Sequence, residues 1–165
     1  MSDFPRIDLT VDAVVFGYDK QGLSVILIQR KHEPFVGQWA FPGGFIDEGE
    51  HPDDAVDREL KEETGVEAKG LTQFHTFADP DRDPRKRIAS IAYYTIVKKA
   101  DHNPVADDDA ENAEWHTISN LPELAFDHQE MYERAAKALK NKIFVRGMLE
   151  GFDIFESNHI LELLG

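Results

Sequence analysis

The stretch that decides the fold of this chain is GFIDEGEHPDDAVDRELKEETGV, which runs from Gly44 to Val66. Its second half has the composition of a helix, in which Glu59, Glu62 and Glu63 stand at positions i, i+3 and i+4. At about 100° per residue, the three carboxylates share about 100° of the helix surface. Like charges on one stripe repel each other and destabilise a helix, and a divalent cation with oxygen ligands is the usual compensation. The stretch therefore predicts a helix that holds a metal ion.

The residues around the three glutamates predict where this helix begins and ends and which side faces the core. Pro52 suits the first turn, where its missing N–H costs nothing, and Gly65 suits the left-handed position that ends a helix. Three residues beside the carboxylate stripe are expected to face the core: Val56, Leu60 and Thr64. Ala55 falls within the stripe, where we expect its small side chain to leave room for a ligand.

The residue order in this stretch is G-x5-E-x7-R-E-U-x-E-E-x-G-U, where U is an aliphatic residue. Every position is filled, in order by Gly44, Glu50, Arg58, Glu59, Leu60, Glu62, Glu63, Gly65 and Val66. The stretch therefore resembles the Nudix box, the signature of the Nudix hydrolase family. The resemblance implies an α/β fold, the Nudix α/β/α sandwich with a mixed β-sheet and a loop-helix-loop catalytic motif. A solvated charged helix is the alternative, but it explains neither the glycines nor the single carboxylate stripe.

The resemblance also implies a role for each ionisable residue of the box. Glu59, Glu62 and Glu63 would be metal ligands, and Glu62 and Glu63 would also take part in catalysis. Arg58 would orient a glutamate through a bidentate ion pair. Glu50 would bind either the metal or the arginine.

The expected cofactor is Mg²⁺, with Mn²⁺ as the alternative, because Mg²⁺ prefers octahedral oxygen sites with few protein carboxylates. By resemblance, the carbonyl of Gly44 is a further metal ligand, and the missing side chains of Gly43 and Gly44 let a phosphate approach. The general base comes either from the box or from the acidic loop at residues 100–111. In that loop Glu111 and Asp108 are the candidates, and for any single residue a solvated charge is the alternative.

Two segments outside the box, RKHEPFVGQWAFPGGF (30–45) and FADPDRDPRKR (77–87), resemble the ADP-ribose pyrophosphatase branch of the family. The implied reaction converts ADP-ribose to AMP and ribose 5-phosphate. Other nucleoside diphosphate sugars and dinucleotides are alternative substrates. The candidates for substrate binding are aromatic, basic and histidine side chains: Phe35, Trp39, Phe41, Arg82, Arg85, Arg87 and His128. Core packing is the alternative for the aromatic residues, solvated charge for the arginines, and helix capping or burial for the histidine.

The composition limits the partners of the protein. The formal net charge is −14, which repels nucleic-acid backbones and anionic lipid, so neither a nucleic acid nor a membrane is expected as a partner. No secretory signal is recognisable, which favours the cytoplasm. The same Nudix branch includes regulators that sense ADP-ribose and carry a winged-helix domain. About 25 residues follow the last predicted helix, too few for that module.

The 165 residues predict one Nudix domain at 1–142 and an apolar tail at 143–165 that packs on the domain or on the partner of a homodimer. Alternating or continuous apolar patterns predict strands at 9–16, 23–29, 71–77, 88–97 and 114–118. Apolar residues at helical spacing predict a helix from a capping Asp127 to about Lys140.

Overall fold

The computed structural model describes residues 4–107 and 110–165, so the candidate base Asp108 lies outside the described residues. Among these residues there are seven strands: β1 (Asp8–Asp19), β2 (Gly22–Arg30), β3 (Trp39–Ala40), β4 (Gly43–Phe45), β5 (Thr72–Phe77), β6 (Ile88–Lys98) and β7 (Ala110–Thr117). The three α-helices are α1 (Pro52–Thr64), α2 (His128–Arg146) and α3 (Ile154–Leu163). Every strand and helix expected from the sequence is present, with bounds shifted by a few residues.

The centre of the sheet is β1, which pairs in parallel with β6 and antiparallel with β2 and β4. The strand order is β3-β2-β1-β6-β5, with β7 joined to β2 and β4 joined to β1. β1 is buried along nearly its whole length, as expected for a strand covered on both faces. The sheet is therefore mixed, as predicted.

Alternate residues of β1 point to opposite faces of the sheet. Because β1 carries apolar side chains on both faces, helices cover both. On one face Val14 and Phe16 belong to the same cluster as Met131 of α2 and Ile160 of α3. On the other face, residues of β1 cluster with residues of α1: Val11, Ala13, Val15, Val56 and Leu60. This arrangement confirms the α/β/α sandwich.

Three local expectations were wrong. Ala55 is fully buried in the core and leaves no room for a ligand. Asp127 is the N-cap residue of α2 as expected, but its side chain makes no capping hydrogen bond, because its carboxylate accepts two hydrogen bonds from Arg82. α2 continues past Lys140 to Arg146, since Ile143 is buried one turn further on.

The C-terminal segment is part of the folded domain. Leu149, Phe152 and Ile160 are buried in the cluster that covers one face of the sheet. The Asp153 side chain begins α3 in a capping box with Glu156. The segment also carries exposed apolar residues: Phe144, Val145, Met148, Ile154 and Phe155. No helix within the described residues is long and apolar enough to cross a membrane.

Candidate active site

The loop before α1 is held against the helix by strand pairing. Gly43 and Gly44 of β4 pair with Asp12 and Val11 of β1, which places the backbone of Gly44 beside Glu59. A Cβ atom on Gly44 would lie 2.5 Å from the Glu59 carboxylate, so a side chain here would displace that carboxylate. The glycine pair thus permits a close contact between loop and helix.

Arg58 connects the loop to the glutamates of α1. Its Nε and Nη2 donate to the two carboxylate oxygens of Glu50 at 2.7 and 2.9 Å. Its Nη1 donates to Glu59 at 2.8 Å and to Glu62 at 3.1 Å, and Nη2 also donates to the Phe45 carbonyl at 3.0 Å. The hydrogen bond from Arg58 lowers the pKa of Glu50 to about 2. One guanidinium therefore orders three carboxylates.

Glu63 points into the site from the next turn of the helix. Its Oε2 accepts a hydrogen bond from the Gly43 N–H at 2.9 Å. Burial, together with repulsion from Glu59 and Asp12, raises the pKa of Glu63 to about 8 despite that hydrogen bond. Burial also raises the pKa of Glu59, against the influence of Arg58. Negative charge on either carboxylate is therefore unfavourable in the metal-free site, and a bound cation would stabilise the charged form.

The donor chemistry of this site fits a hard divalent cation. Glu59 and Glu63 border the same cavity as Gly44 and offer only oxygen ligands, as Mg²⁺ and Mn²⁺ prefer. In the present side-chain conformations, no three acidic or histidine side chains of the described part of the chain are arranged to hold a metal. Arg58 engages Glu59 and Glu62, so a metal ion would have to compete with the arginine for these ligands.

The cavity beside these glutamates has a volume of about 330 Å³ and is lined by side chains of both charges. They include the acidic Glu59, Glu63 and Asp47 and the basic Arg30 and Arg85. The Arg30 and Arg85 guanidiniums lie 4.8 and 5.9 Å from the centre of one aromatic ring, that of Phe126. Such a cavity suits an anionic ligand that meets both a bound metal and guanidinium groups.

The structure brings most of the expected substrate-binding residues to this cavity. Those that line it are Phe41, Gly43, Gly44, Arg82, Arg85 and His128. Phe35 does not line the cavity itself. Its ring packs against that of Phe126, a lining residue, with 4.8 Å between the ring centres. Arg82 is only 4% exposed at its side chain and forms a bidentate pair with Asp127.

Four other candidates lie outside the cavity lining. Trp39 packs edge-on against His116 at 4.3 Å. Arg87 precedes β6, and its backbone carbonyl accepts from Asp8 at the start of β1. Glu111 is exposed on β7, and Glu62 is exposed on α1, where it contacts Arg58.

Sequence reasoning missed several residues of the cavity wall, among them Asp12, Arg30 and Phe126. Asp12 interrupts the apolar run of β1, and a charged residue inside a buried strand is a signal that could have been used. Arg30 and Phe126 come together only through the tertiary fold. Phe126 has a left-handed backbone, with φ 54°, which no local pattern indicates.

The fold and the site together define a class of protein. The mixed sheet lies between two helical layers, and one layer contains a glutamate-rich helix that follows a glycine turn. The model of the NUDIX domain matches residues 7–135, and the chain belongs to the Nudix family. It is 40% identical over 126 residues to the ADP-ribose pyrophosphatase of Methanocaldococcus jannaschii, covering 76% of this chain and 73% of the relative. Together these matches show a Nudix pyrophosphohydrolase.

Two further relatives are linked to ADP-ribose by name. The chain is 33% identical over 146 residues to the ADPR responsive transcriptional repressor NtrR of Acinetobacter baylyi, covering 86% of this chain but 58% of the repressor. The NUDIX domain of Shewanella oneidensis NrtR, solved in complex with ADP-ribose, superposes with a TM-score of 0.77 and 34% identity. That match covers 82% of this chain and 90% of the solved chain.

Proposed function

We propose that this protein hydrolyses the pyrophosphate linkage of ADP-ribose and releases AMP and ribose 5-phosphate. The observation that carries the proposal is that one cavity is lined both by Glu59 and Glu63 and by Arg30 and Arg85. A diphosphate could be bridged to the glutamates by metal while its remaining charge meets a guanidinium. The similarity to an ADP-ribose pyrophosphatase supports this choice of substrate.

In this proposal Mg²⁺, or Mn²⁺ in its place, is held by Glu59 and Glu63, with Glu62, Glu50 and the Gly44 carbonyl as further ligands. When bound, the metal ion neutralises phosphate oxygens and lowers the pKa of a coordinated water. The raised pKa values of Glu59 and Glu63, which arise chiefly from burial, support the assignment, because a bound cation stabilises the charged form of a buried carboxylate.

The chain's own residues orient the reactants and accept a proton. Arg58 positions Glu50, Glu59 and Glu62 through four hydrogen bonds. The oxygen of the attacking water bonds to one phosphorus, the bridging oxygen leaves with the other phosphate, and the water's proton passes to a base. Glu63 is the candidate base on the cavity wall, and Glu111 is the candidate outside it.

The direct test is release of AMP and ribose 5-phosphate from ADP-ribose, identified by mass, with and without Mg²⁺. We expect Glu63→Gln to lower turnover by about a hundredfold or more at saturating Mg²⁺, because it removes a charge that binds metal and accepts a proton. Glu67→Gln is the matched control, since Glu67 is exposed and pairs with Lys61 away from the cavity. Equal turnover in both variants would contradict the assignment.

A second candidate function is ADP-ribose sensing without turnover, which the similarity to the repressor favours. The same assay separates the two functions. A sensor would bind ADP-ribose in calorimetry, with or without Mg²⁺, and release no AMP. A parallel screen of nucleoside diphosphate sugars and dinucleotides tests the other substrate classes, because each gives products of a different mass.

We also propose that the protein forms a homodimer, and that the catalytic unit is the domain at 1–142 with the segment at 143–165, which begins in the last turn of α2, docked on it. The exposed apolar side chains Phe144, Val145 and Phe155 support a dimer contact on the C-terminal segment.

A further inference from the structure

A buried histidine lies behind the glycine turn of the candidate active site. His128 is the first residue of α2, is 3% exposed, and lines the cavity from the side opposite α1. Its Nδ1 accepts a hydrogen bond from the Phe41 backbone N–H at 3.0 Å. A backbone N–H can only donate, so Nδ1 carries no proton and the proton of the neutral ring must be on Nε2.

The protonated side of this ring faces an acidic group in the centre of the sheet. Nε2 of His128 lies 3.6 Å from Oδ1 of Asp12, which is 7% exposed on β1. Oδ2 of Asp12 accepts a hydrogen bond from the Ser90 hydroxyl on β6. Asp12 therefore favours the tautomer that leaves Nδ1 free to accept from Phe41. Burial lowers the pKa of His128 to about 3, in agreement with a neutral ring.

The same two residues support the turn that follows Phe41. The Pro42 carbonyl accepts from the Ala13 N–H at 2.8 Å, beside Asp12 on β1. A Cβ atom on Gly43 would lie 2.5 Å from Oδ1 of Asp12, so the turn rests directly on this carboxylate. The front of the turn donates the Gly43 N–H to Glu63. The back of the turn thus lies against the Asp12 carboxylate and donates the Phe41 N–H to His128, and its front carries the hydrogen bond that orients Glu63.

We propose that His128 and Asp12 are positioning residues that hold the Phe41–Gly44 turn and, through the Gly43 N–H, the carboxylate of Glu63. In this role His128 does not touch the reacting atoms and transfers no proton. Its function is to accept one hydrogen bond at Nδ1, and the function of Asp12 is to keep that nitrogen unprotonated. As far as turnover is concerned, the proposal rests on the hydrolytic function proposed above.

Variants of His128 can test whether the site needs only an acceptor for the Phe41 N–H or a complete imidazole ring. His128→Asn keeps an oxygen at the position of Nδ1 and loses the Nε2–H. His128→Leu removes both groups, and His128→Gln places its amide near Nε2 rather than Nδ1, which provides a polar variant if the leucine protein does not fold. His116→Leu is the control, because His116 is a half-buried histidine that packs on Trp39 outside the cavity.

Amide hydrogen exchange of the metal-free protein measures how well the hydrogen bonds of the Phe41–Gly44 turn are protected. This measurement does not depend on turnover. We expect the Phe41 and Gly43 amides to exchange about tenfold faster or more in His128→Leu and His128→Gln than in wild type. In His128→Asn and His116→Leu they should exchange at the wild-type rate. The nitrogen NMR spectrum of the wild-type protein should show His128 with its proton on Nε2.

Steady-state kinetics then tests the consequence for Glu63. We expect kcat to fall about tenfold or more in His128→Leu and His128→Gln, with a higher Mg²⁺ concentration for half-maximal rate, and to stay within about threefold of wild type in His128→Asn. Asp12→Leu should lower kcat in the same direction, because it removes the carboxylate that faces Nε2 and favours its protonation.

Unchanged amide exchange in both His128→Leu and His128→Gln, an Nδ1-protonated His128, or an asparagine variant as impaired as the leucine variant would overturn the proposal. If wild type hydrolyses none of the diphosphate substrates, the proposed hydrolytic function fails. The exchange and tautomer measurements still decide whether His128 holds the turn.

Discussion

Glu63 is the residue whose ionisation depends most directly on the rest of the site. Its pKa of about 8 in the folded protein lies above its ordinary value of 4.5. Between these two pH values the folded state binds more protons than the unfolded state, so raising the pH lowers the stability of the metal-free protein. The physical cause is the burial of a carboxylate next to Glu59 and Asp12, with one hydrogen bond from Gly43 in compensation.

We predict that the Tm of the metal-free protein falls as the pH is raised from about 5 to about 8.5, and that it falls less in Glu63→Gln. Scanning calorimetry in the presence of a chelator checks this. Asp12, whose pKa burial raises to about 7, contributes in the same direction in both proteins, so the difference between the two slopes reports Glu63. Identical slopes would show that Glu63 ionises normally in the folded protein.

Arg58 is the residue that holds the glutamates together, and we predict that Arg58→Ala lowers the Tm by about 4 °C or more. The loss follows because three carboxylates lose their shared cation and the Phe45 carbonyl loses its donor. Arg134→Ala is the control, since Arg134 makes an exposed i, i+4 pair with Glu130 and should change the Tm by about 1 °C or less. If the Tm falls by about 1 °C or less in both variants, Arg58 contributes no more to stability than an exposed surface charge.

Helix α1 is the element that carries the site, and its end is defined by Gly65. This residue has φ 68°, and its N–H donates to the Lys61 carbonyl. We predict that Gly65→Ala costs about 1 kcal/mol of unfolding free energy, because a Cβ is unfavourable in the left-handed region. Gly65→Asn should cost less, since asparagine tolerates this conformation. Urea denaturation measures both, and a loss in Gly65→Asn as large as that in Gly65→Ala would contradict backbone strain as the cause.

The whole molecule includes the C-terminal segment, and we predict that α3 unfolds together with the rest of the domain. Ile160 is fully buried in the cluster shared by the sheet and α2, so Ile160→Ala should lower the unfolding free energy by about 2–4 kcal/mol in one cooperative transition. Phe155→Ala is the control, because Phe155 is 81% exposed and should change the stability of the monomer by about 0.5 kcal/mol or less. Separate transitions for α3 and the sheet would show an independent tail.

The exposed apolar side chains of the same segment are expected to affect dimer formation rather than folding. We predict a homodimer in sedimentation velocity, and a shift to monomer in Phe155→Glu, because a buried unpaired charge in the interface is unfavourable. Phe144 and Val145, also exposed, are expected at the same contact. A monomeric wild type at micromolar concentration would contradict the dimer.

The sequence by itself determined what depends on near neighbours along the chain. The bounds of α1, its buried positions Val56 and Leu60, and the left-handed Gly65 follow from helical periodicity and from the backbone preferences of proline and glycine. The family resemblance, also read from the sequence, determined the sandwich that the strand pairing confirms.

Only the tertiary structure decided which distant residues meet at the cavity. Phe41 and His128 are 87 residues apart, and Arg82 and Asp127 are 45 apart, yet each pair shares hydrogen bonds. Their contacts depend on how helices pack on both faces of the sheet, and a local pattern records the direction of a side chain but not its partner across the fold. The sequence therefore indicates Arg82 as a substrate contact but does not reveal its ion pair. In the structure its guanidinium forms an ion pair with Asp127 at the start of α2.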